Sequence, residues 1–286
     1  MKQHQPSMSV NEQIANLKDI GLIINNEEYA KNILNDISYF RLIKAYSLRL
    51  KNNGKYDDKV SFEDLVALYM FDYEFRHILF AQIERIEVSL RCRISNYFCE
   101  KYGVFGYRDI NNFHNQNDQI QILSEIDNEI KRNSKAPFIK NFKYNYDGGD
   151  IPFYATAEVL SFGALSKYYK NMYSQDKKAI ANTYGLKYKF LQSWIESISF
   201  VRNICAHYGR LYNAKFSKMP KLYKEYNSLG ICNNNIFSVL ICMKHILNID
   251  VQWRGFVDAL EDIFLKYPNV DISTMGFVAN WNDILK

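Results

Sequence analysis

The stretch "SFEDLVALYMFDYEFRHILFAQIERIEVSLRCRISNYFCEKY", residues 61–102, carries the longest regular hydrophobic pattern in the chain. Its apolar residues recur at steps of three and four, as on one face of an α-helix. The main members of this series are Leu65, Leu68, Phe75, Leu79, Ile86, Leu90 and Tyr97. Ser61, with Asp64 three residues later, forms a capping box, and Gly103 follows the last periodic residue. The pattern therefore predicts a single helix over residues 61–102.

Helical patterns also run along most of the remaining chain. The predicted helices cover residues 9–22, two segments within 27–50, one or two within 119–145, short segments within 154–185, residues 187–208 and two segments within 233–266. Residues 51–59 and 104–118 are predicted loops, and the paired glycines of "NYDGGDIP" mark the strongest break. No segment shows the alternation of a strand. We predict an all-α fold whose bundle core comes mainly from residues 61–102 and 187–208.

Composition excludes several classes of protein. Of the 286 residues, 48% are hydrophobic, which is enough for a buried core and untypical of a disordered chain. The five cysteines match neither a zinc pattern nor a secreted disulfide framework, so we expect reduced thiols and a cytoplasmic location. The polar start "MKQHQPSMSVNEQ" lacks a signal-peptide core, and no apolar run reaches the length of a membrane span. The net charge of +5 permits an acidic partner without proving one.

No metal or other cofactor is predicted. His77, His114 and His245 are isolated in the sequence, and no H-E-x-x-H motif places two of them on one helix face. A phosphate-binding loop of the form G-x-x-x-x-G-K-[ST] is also absent. We interpret these histidines as core or surface residues.

The helix predicted over residues 187–208 has two different faces. One is an apolar stripe of Leu191, Trp194, Ile198, Val201 and Cys205, which stay within about 80° of one another. Arg202 lies at the edge of this stripe, while Asn203 and His207 point to the opposite face. Phe200 and Ile204 lie beside His207. We therefore expect a second surface, either another helix or another subunit, to pack there.

The residue types in "RNICAH", residues 202–207, suit metal-free cleavage of RNA. A histidine can act as base or acid near neutral pH, where a 2′-hydroxyl must lose a proton and the 5′-oxygen must gain one. An arginine holds phosphate oxygens with its planar fork, and an asparagine can orient the imidazole. The spacing alone is also compatible with a structural histidine at a helix C-terminus, where a positive charge meets the helix dipole favourably.

The longer segment "VRNICAHYGRLYN", residues 201–213, resembles the signature of the Abi-like family of bacterial abortive-infection proteins, which includes AbiD and AbiF. "RNICAH" itself is similar to the R-N-x-x-A-H form of the HEPN nuclease signature. Further segments agree in the same order, and they are "ISYFRLIKAYSLRL", "FDYEFRHILFAQIERIEVSLRCRI" and "FYATAEVLSFGALSKYY". The resemblance extends over roughly residues 12–265.

This resemblance implies a single all-helical domain over residues 1–286, with a HEPN-like helical bundle over roughly 61–266 and helices of residues 9–50 packed on it. It implies a metal-independent, often dimeric ribonuclease linked to phage defence. By position, Arg202, Asn203 and His207 are the candidate catalytic residues. Arg210 and Asn213 match the extended motif and are weaker candidates for RNA binding. Tyr208 stands where a second histidine is common, so the chain departs from the family pattern at this position.

Two further groups of residues are candidates, each with a structural alternative. On the long helix, Glu84 and Arg85 could orient His207 or bind phosphate, although an ordinary salt-bridged face is the simpler interpretation. The exposed face of that helix is expected to carry Glu84, Glu87 and Arg91, with Glu87 and Arg91 as an i,i+4 ion pair.

The second group is the basic segment that follows the motif, "RLYNAKFSKMPKLYKEY", residues 210–226. Lys215, Lys218 and Lys221 are its candidate RNA-binding lysines, and Tyr212, Phe216, Tyr223 and Tyr226 are interleaved among the basic residues. Lysines contact phosphates and aromatic rings stack on unpaired bases. A solvated loop with buried ring anchors is the alternative.

The sequence therefore favours a toxin-like endoribonuclease whose partners are RNA, a second copy in a homodimer and an RNA or protein antitoxin. The competing hypothesis is a non-catalytic protein that holds a structured small RNA. A helical fold is compatible with both.

Overall fold

The computed structural model describes residues 7–286. The predicted absence of a signal peptide rests partly on residues 1–6, which lie outside the described residues. The all-α prediction is confirmed, because helices dominate the described chain and its only sheet is one two-stranded hairpin. No helix in the described part is both long and apolar enough to cross a membrane.

Thirteen α-helices, α1–α13, occur within residues 7–286. In chain order they are Val10–Asp19, Glu27–Asp36, Phe62–Tyr102, Gln116–Arg132, Pro137–Asn145, Phe153–Thr156, Phe162–Asn171, Ser174–Asn182, Tyr188–Ala206, Lys224–Ser228, Ile236–Leu247, Val251–Lys266 and Trp281–Leu285. Short 3₁₀ turns lie at Gly106–Arg108, Ile110–Asn112, Asp147–Gly149, Ala157–Val159 and Ile272–Met275. The hairpin strands β1 and β2 are Lys51–Asn52 and Lys55–Tyr56.

The chain forms two compact units, which are described separately. The first contains the residues up to Arg76 together with Leu260–Ile272, and the second contains His77–Ala259 and Ser273–Lys286. Helix α3 is continuous through the boundary at Arg76. A single domain over the whole chain stays a prediction.

In the first unit, the sequence overestimated helix in the stretch 39–50. A π-helix covers only Phe40–Lys44, and the chain has left the helix by Ser47. The physical reason lies in the hairpin that follows. Asn53 and Gly54 at its tip both have positive φ, 48° and 84°, as a type I′ turn requires. The hairpin returns the chain so that the Asp57 N–H donates to the Leu50 carbonyl.

Helix α3 matches its prediction at both ends. The Ser61 hydroxyl accepts a hydrogen bond from the Asp64 N–H (3.1 Å), and the Asp64 carboxylate accepts one from the Ser61 N–H (2.8 Å). At the other end Gly103 has a φ of 79°, a left-handed conformation that suits glycine. The expected exposure of Arg91 is wrong, since its side chain is buried.

Helix α9 is the central element of the second unit. It packs against α7, α8 and α11. The predicted apolar stripe is confirmed, because Leu191, Trp194, Ile198, Val201 and Cys205 are all buried. Helix α7 also packs against α4, and α11 packs against α13. The C-terminal end of α9, which carries the motif, is therefore held in place by buried side chains along the whole helix.

Candidate functional site

The end of α9 is fixed by its backbone. His207 is the C-cap, and Tyr208 follows with a left-handed φ of 56°. The Tyr208 N–H donates to the Cys205 carbonyl (3.1 Å) and the Gly209 N–H to the Ile204 carbonyl (2.7 Å), which is a Schellman motif. Gly209 is required, because a Cβ there would lie 2.9 Å from the Ile204 side chain.

This ending presents His207 to solvent. The side chains of Asn203, His207 and Tyr208 are exposed. The His207 imidazole has no hydrogen bond or ion pair with any residue that the structure describes. The histidine occupies the C-cap through its backbone, as in the structural alternative, while its imidazole stays accessible to a ligand.

Arg202 has the opposite environment. Its side chain is half-buried and faces α3, where its Nε lies 3.4 Å from Glu87 Oε2 and its guanidinium lies 5.9 Å from the centre of the Phe80 ring. The Nε atom is buried and has no hydrogen-bond partner in the described chain, so its contact with Glu87 is purely an ion pair. The remaining guanidinium nitrogens keep their capacity to hold an anion.

Glu87 and Arg91 support this position. Glu87 Oε1 accepts a hydrogen bond from Arg91 (2.6 Å), which confirms the predicted i,i+4 pair. Arg91 also donates to the backbone carbonyls of Ala157 and Leu160. Glu87, Arg91 and Arg202 thus form one cluster, called here the arginine cluster, which ties α9 and the 157–160 turn to α3.

A cavity of about 340 Å³ opens beside the arginine cluster. It is lined by Phe80, Ile83, Glu84, Glu87, Val88, Arg91 and Arg202. Sequence reasoning assigned Glu87 only to a surface ion pair and missed its contact with Arg202. The i,i+4 pairing with Arg91 was the one local signal that could have drawn attention to it.

The two supporting candidates on α3 lie in different places. Glu84 is exposed and lines the cavity beside Arg202. Arg85 pairs with Asp250 and donates to Gln82 (2.7 Å). These contacts fit the salt-bridged alternative for Arg85, and no contact connects it to His207 within the described residues.

The basic segment runs back along α9, from the motif toward the N-terminal half of the helix. The Phe216 ring lies 5.8 Å from the Phe200 ring. Further along, Lys218 pairs with Glu196 (2.7 Å), and the Lys221 N–H donates to the Ser193 hydroxyl (2.9 Å). The second surface expected over Phe200 is therefore a segment of the same chain.

The rings of this segment anchor it to the protein. Phe216 and Tyr226 are buried, and Tyr223 packs 4.5 Å from Phe190. His245 lies in the same cluster, where burial lowers its pKa below the usual value and Tyr226 shares a hydrogen bond with it (2.9 Å). Phe216, Tyr223 and Tyr226 therefore support the buried-anchor alternative.

The polar candidates of the segment differ in exposure. Lys215, Lys218 and Lys221 are exposed, whereas Arg210 and Asn213 are half-buried. Asn213 has a left-handed φ of 50°, which asparagine tolerates better than most residues. The three lysines remain candidates for phosphate contact.

Comparison with curated proteins and with solved structures gives no significant match. The family model for Abi-like proteins matches residues 32–213, well over half of the chain. The matched region includes all of α3 and ends at Asn213, the last residue of the extended motif. It therefore contains Arg202, Asn203 and His207 as well as the α3 residues that contact Arg202. The chain belongs to the Abi-like protein family.

Proposed function

We propose that this chain is a metal-independent endoribonuclease of the HEPN type that acts in the cytoplasm in phage defence. Membership of the Abi-like family supports the role in abortive infection, whereas the ribonuclease activity is our own proposal. The ribonuclease assignment rests on one observation: within one motif, the His207 side chain is exposed while Arg202 is held against α3 by its ion pair with Glu87.

The chemistry follows from these environments. A base removes the proton of the 2′-hydroxyl, its oxygen attacks the neighbouring phosphorus, and the bond from phosphorus to the 5′-oxygen breaks. The leaving oxygen takes a proton, so the products are a 2′,3′-cyclic phosphate and a 5′-hydroxyl. His207 supplies acid–base catalysis, Arg202 stabilises the phosphate charge and Asn203 donates to the phosphate.

The proposal includes a two-fold dimer in which both His207 residues face a shared groove. On an ideal helix, five residues separate Arg202 and His207 by about 140° around the axis and about 7.5 Å along it. Arg202 turns toward α3, whereas His207 is exposed. A second chain would complete the set of base, acid and phosphate charge. Phe200 gives no argument for the dimer, because Phe216 of the same chain packs on its ring.

Light scattering measures the mass in solution, and mixing Arg202→Ala with His207→Ala chains tests for a composite site. We expect a dimer and partial activity in the mixture, because one mixed site retains both intact groups. An active enzyme that is strictly monomeric would contradict the dimer.

One observation favours the competing function, a protein that binds a structured small RNA without cleaving it. No described residue orients the His207 imidazole, whereas acid–base histidines usually have such a partner. Either function allows an RNA or protein antitoxin as partner.

The deciding experiment incubates the protein with end-labelled RNA in EDTA. The proposal expects fragments that end in a 2′,3′-cyclic phosphate. Tight RNA binding without fragments, in the dimeric protein, would support the non-catalytic function instead.

A further inference from the structure

A second polar cavity lies in the same unit as the motif. It has a volume of about 840 Å³ and is bordered by α4, α7, α8 and α9. Five lysines line it. Lys167 is paired with Glu125, and the other four, from three helices and the basic segment, are Lys170, Lys177, Lys189 and Lys221. None of the first three is a residue of the motif or of the basic segment. We call this cavity the lysine cleft.

Lys177 is the unusual member of the lysine cleft. Its side chain is only 8% exposed, and its Nζ donates to two neutral oxygens, the Lys170 carbonyl (2.9 Å) and Gln192 Oε1 (3.1 Å). No carboxylate of the described chain pairs with it. An ammonium has three protons, and these two bonds use two of them, while the Nζ lies 5.8 Å from the centre of the Tyr188 ring in the cleft lining. Burial also lowers the pKa of Lys177, because loss of hydration disfavours the charged ammonium.

The acidic residues of the cleft are mostly engaged elsewhere. Glu125 pairs with Lys167, and Glu196 pairs with Lys218. Asp118 is exposed on the α4 side and is the one lining acid without an ion pair in the described chain. Lys170 and Lys189 are exposed and have no ion pair among the described residues. The α7–α9 side of the cleft is therefore cationic and suits an anion.

The cleft and the motif lie along the same helix, α9. Ser193 lines the cleft and lies fourteen residues before His207, which corresponds to about 21 Å along the helix. The basic segment spans this interval, with Lys218 at Glu196 and Lys221 at Ser193. The basic segment thus places Lys215 and Lys221, which have no ion pair in the described chain, and the paired Lys218 between the motif and the buried ammonium of Lys177.

We propose that the lysine cleft binds the phosphate backbone of the substrate RNA several nucleotides away from the bond that is cleaved. This inference rests on the proposed function for its substrate, although it concerns a separate set of residues. Single-stranded RNA is favoured because its flexible backbone can follow the basic segment along α9 into the cleft. The cleft would then set the minimum length of a well-bound substrate.

The test compares two double variants. The cleft variant carries Lys170→Gln and Lys189→Gln, and the control variant carries Lys178→Gln and Lys187→Gln. The control removes the same charge from exposed lysines of α8 and the start of α9 that do not line the cleft. Binding of labelled single-stranded RNA is measured by anisotropy at several salt concentrations in the His207→Ala protein, so that cleavage does not interfere. Each lost phosphate contact should lower the slope of log K against log salt by roughly 0.7.

We expect the cleft variant to lose about 1.4 from the slope and the control variant to keep the parent slope. We also expect the difference to disappear with an RNA too short to extend from the motif to the cleft. Equal slopes for the two variants would overturn the proposal. So would a cleft that binds inorganic phosphate or adenosine monophosphate while its mutation leaves RNA binding unchanged, because the site would then serve a small anion.

A Lys177→Met variant gives a second readout. We expect its melting temperature to match or exceed that of the parent, since a buried charge without a carboxylate partner is removed, while its RNA affinity falls. Large destabilisation with unchanged RNA affinity would show a structural lysine and contradict the inference. These binding tests do not require cleavage, so failure of the nuclease proposal would be seen separately in the EDTA assay.

Discussion

The two ends of the Arg202–His207 interval illustrate two ways of holding a functional side chain. Arg202 is half-buried against α3, with Glu87 and Arg91 behind it. His207 stands in solvent after the last turn of α9, held only by the backbone bonds of a Schellman motif. Under the proposed function, Arg202 is the preorganised phosphate-binding charge and His207 is the acid–base group left open to a substrate or a second chain.

Because Arg202 is half-buried and His207 is exposed, effects on stability and effects on activity can be measured apart. A side chain with buried partners affects folding when it is changed, whereas an exposed one without partners affects only what it touches. Substitutions on the two sides should consequently give different combinations of stability and rate.

The largest expected effect is that of His207→Ala. Loss of the acid–base group should slow RNA cleavage by about 10² to 10⁴, which is about 3–5 kcal/mol of barrier. Stability should change by less than about 0.5 kcal/mol, because the imidazole is exposed and unpaired in the described chain. Cleavage in EDTA and thermal unfolding measure the two quantities. His77→Ala, at another exposed histidine, is the control, and unchanged cleavage by folded His207→Ala would remove the histidine from the mechanism.

Glu87→Gln should lower both the stability and the rate of RNA cleavage. Neutralising Glu87 leaves Arg91 and Arg202 beside each other without their shared carboxylate, at a cost of about 1–3 kcal/mol in stability. Because Arg202 loses its support, cleavage should slow by up to about 100-fold. Denaturant unfolding and cleavage rates measure these effects.

Glu84→Gln is the matched control, one position before Arg85 on the same helix and exposed beside the same cavity. It should stay within about 0.5 kcal/mol of the parent. If Glu87→Gln and Glu84→Gln behave alike, the arginine cluster does not hold Arg202 in place.

The sequence predicted the helices that carry the site better than the contacts between them. Helix α3, its capping box and Gly103 follow from local pattern, as does the apolar stripe of α9. The role of Glu87 depends on α3 meeting α9, more than a hundred residues later in the chain, so local pattern showed only its pairing with Arg91. The path of the basic segment was hidden for the same reason.

Local signals also failed where they were weak. The Asn53–Gly54 pair is a strong hairpin signal, but strands of two residues are too short to show alternation. The helical stretch around Phe40–Lys44 ends at Tyr46, but apolar residues continue to Leu50 with no glycine or proline between, so the early end could not be read from the pattern.

A smaller effect is expected from the exposed lysines that follow His207. Replacing Lys215, Lys218 and Lys221 with Gln should reduce the slope of log K against log salt by up to roughly 2 for single-stranded RNA. Lys218→Gln alone should contribute least, because Lys218 is already paired with Glu196, which raises its pKa. Anisotropy across salt concentrations measures each variant. A slope equal to that of the parent would show that the three lysines are only a solvated face.

The smallest effect concerns the backbone that presents His207. Tyr208 holds a left-handed φ of 56°, which costs a residue with a Cβ about 1 kcal/mol and costs glycine little. Tyr208→Gly should therefore raise the free energy of unfolding by about 0.5 kcal/mol after the larger entropy of an unfolded glycine is subtracted. Tyr144→Gly makes the same change at an exposed tyrosine of right-handed helix α5 and should lower stability by a similar amount.

Opposite signs for Tyr208→Gly and Tyr144→Gly would show that the open end of α9 is a strained and defined conformation. Such an end can aim the imidazole at a substrate without any buried partner for it. If both variants lose stability equally, the tyrosine side chain contributes more at position 208 than its backbone costs. The Schellman motif would then depend on contacts of Tyr208 as well as on Gly209, and the two sides of the interval would differ less than their exposure indicates.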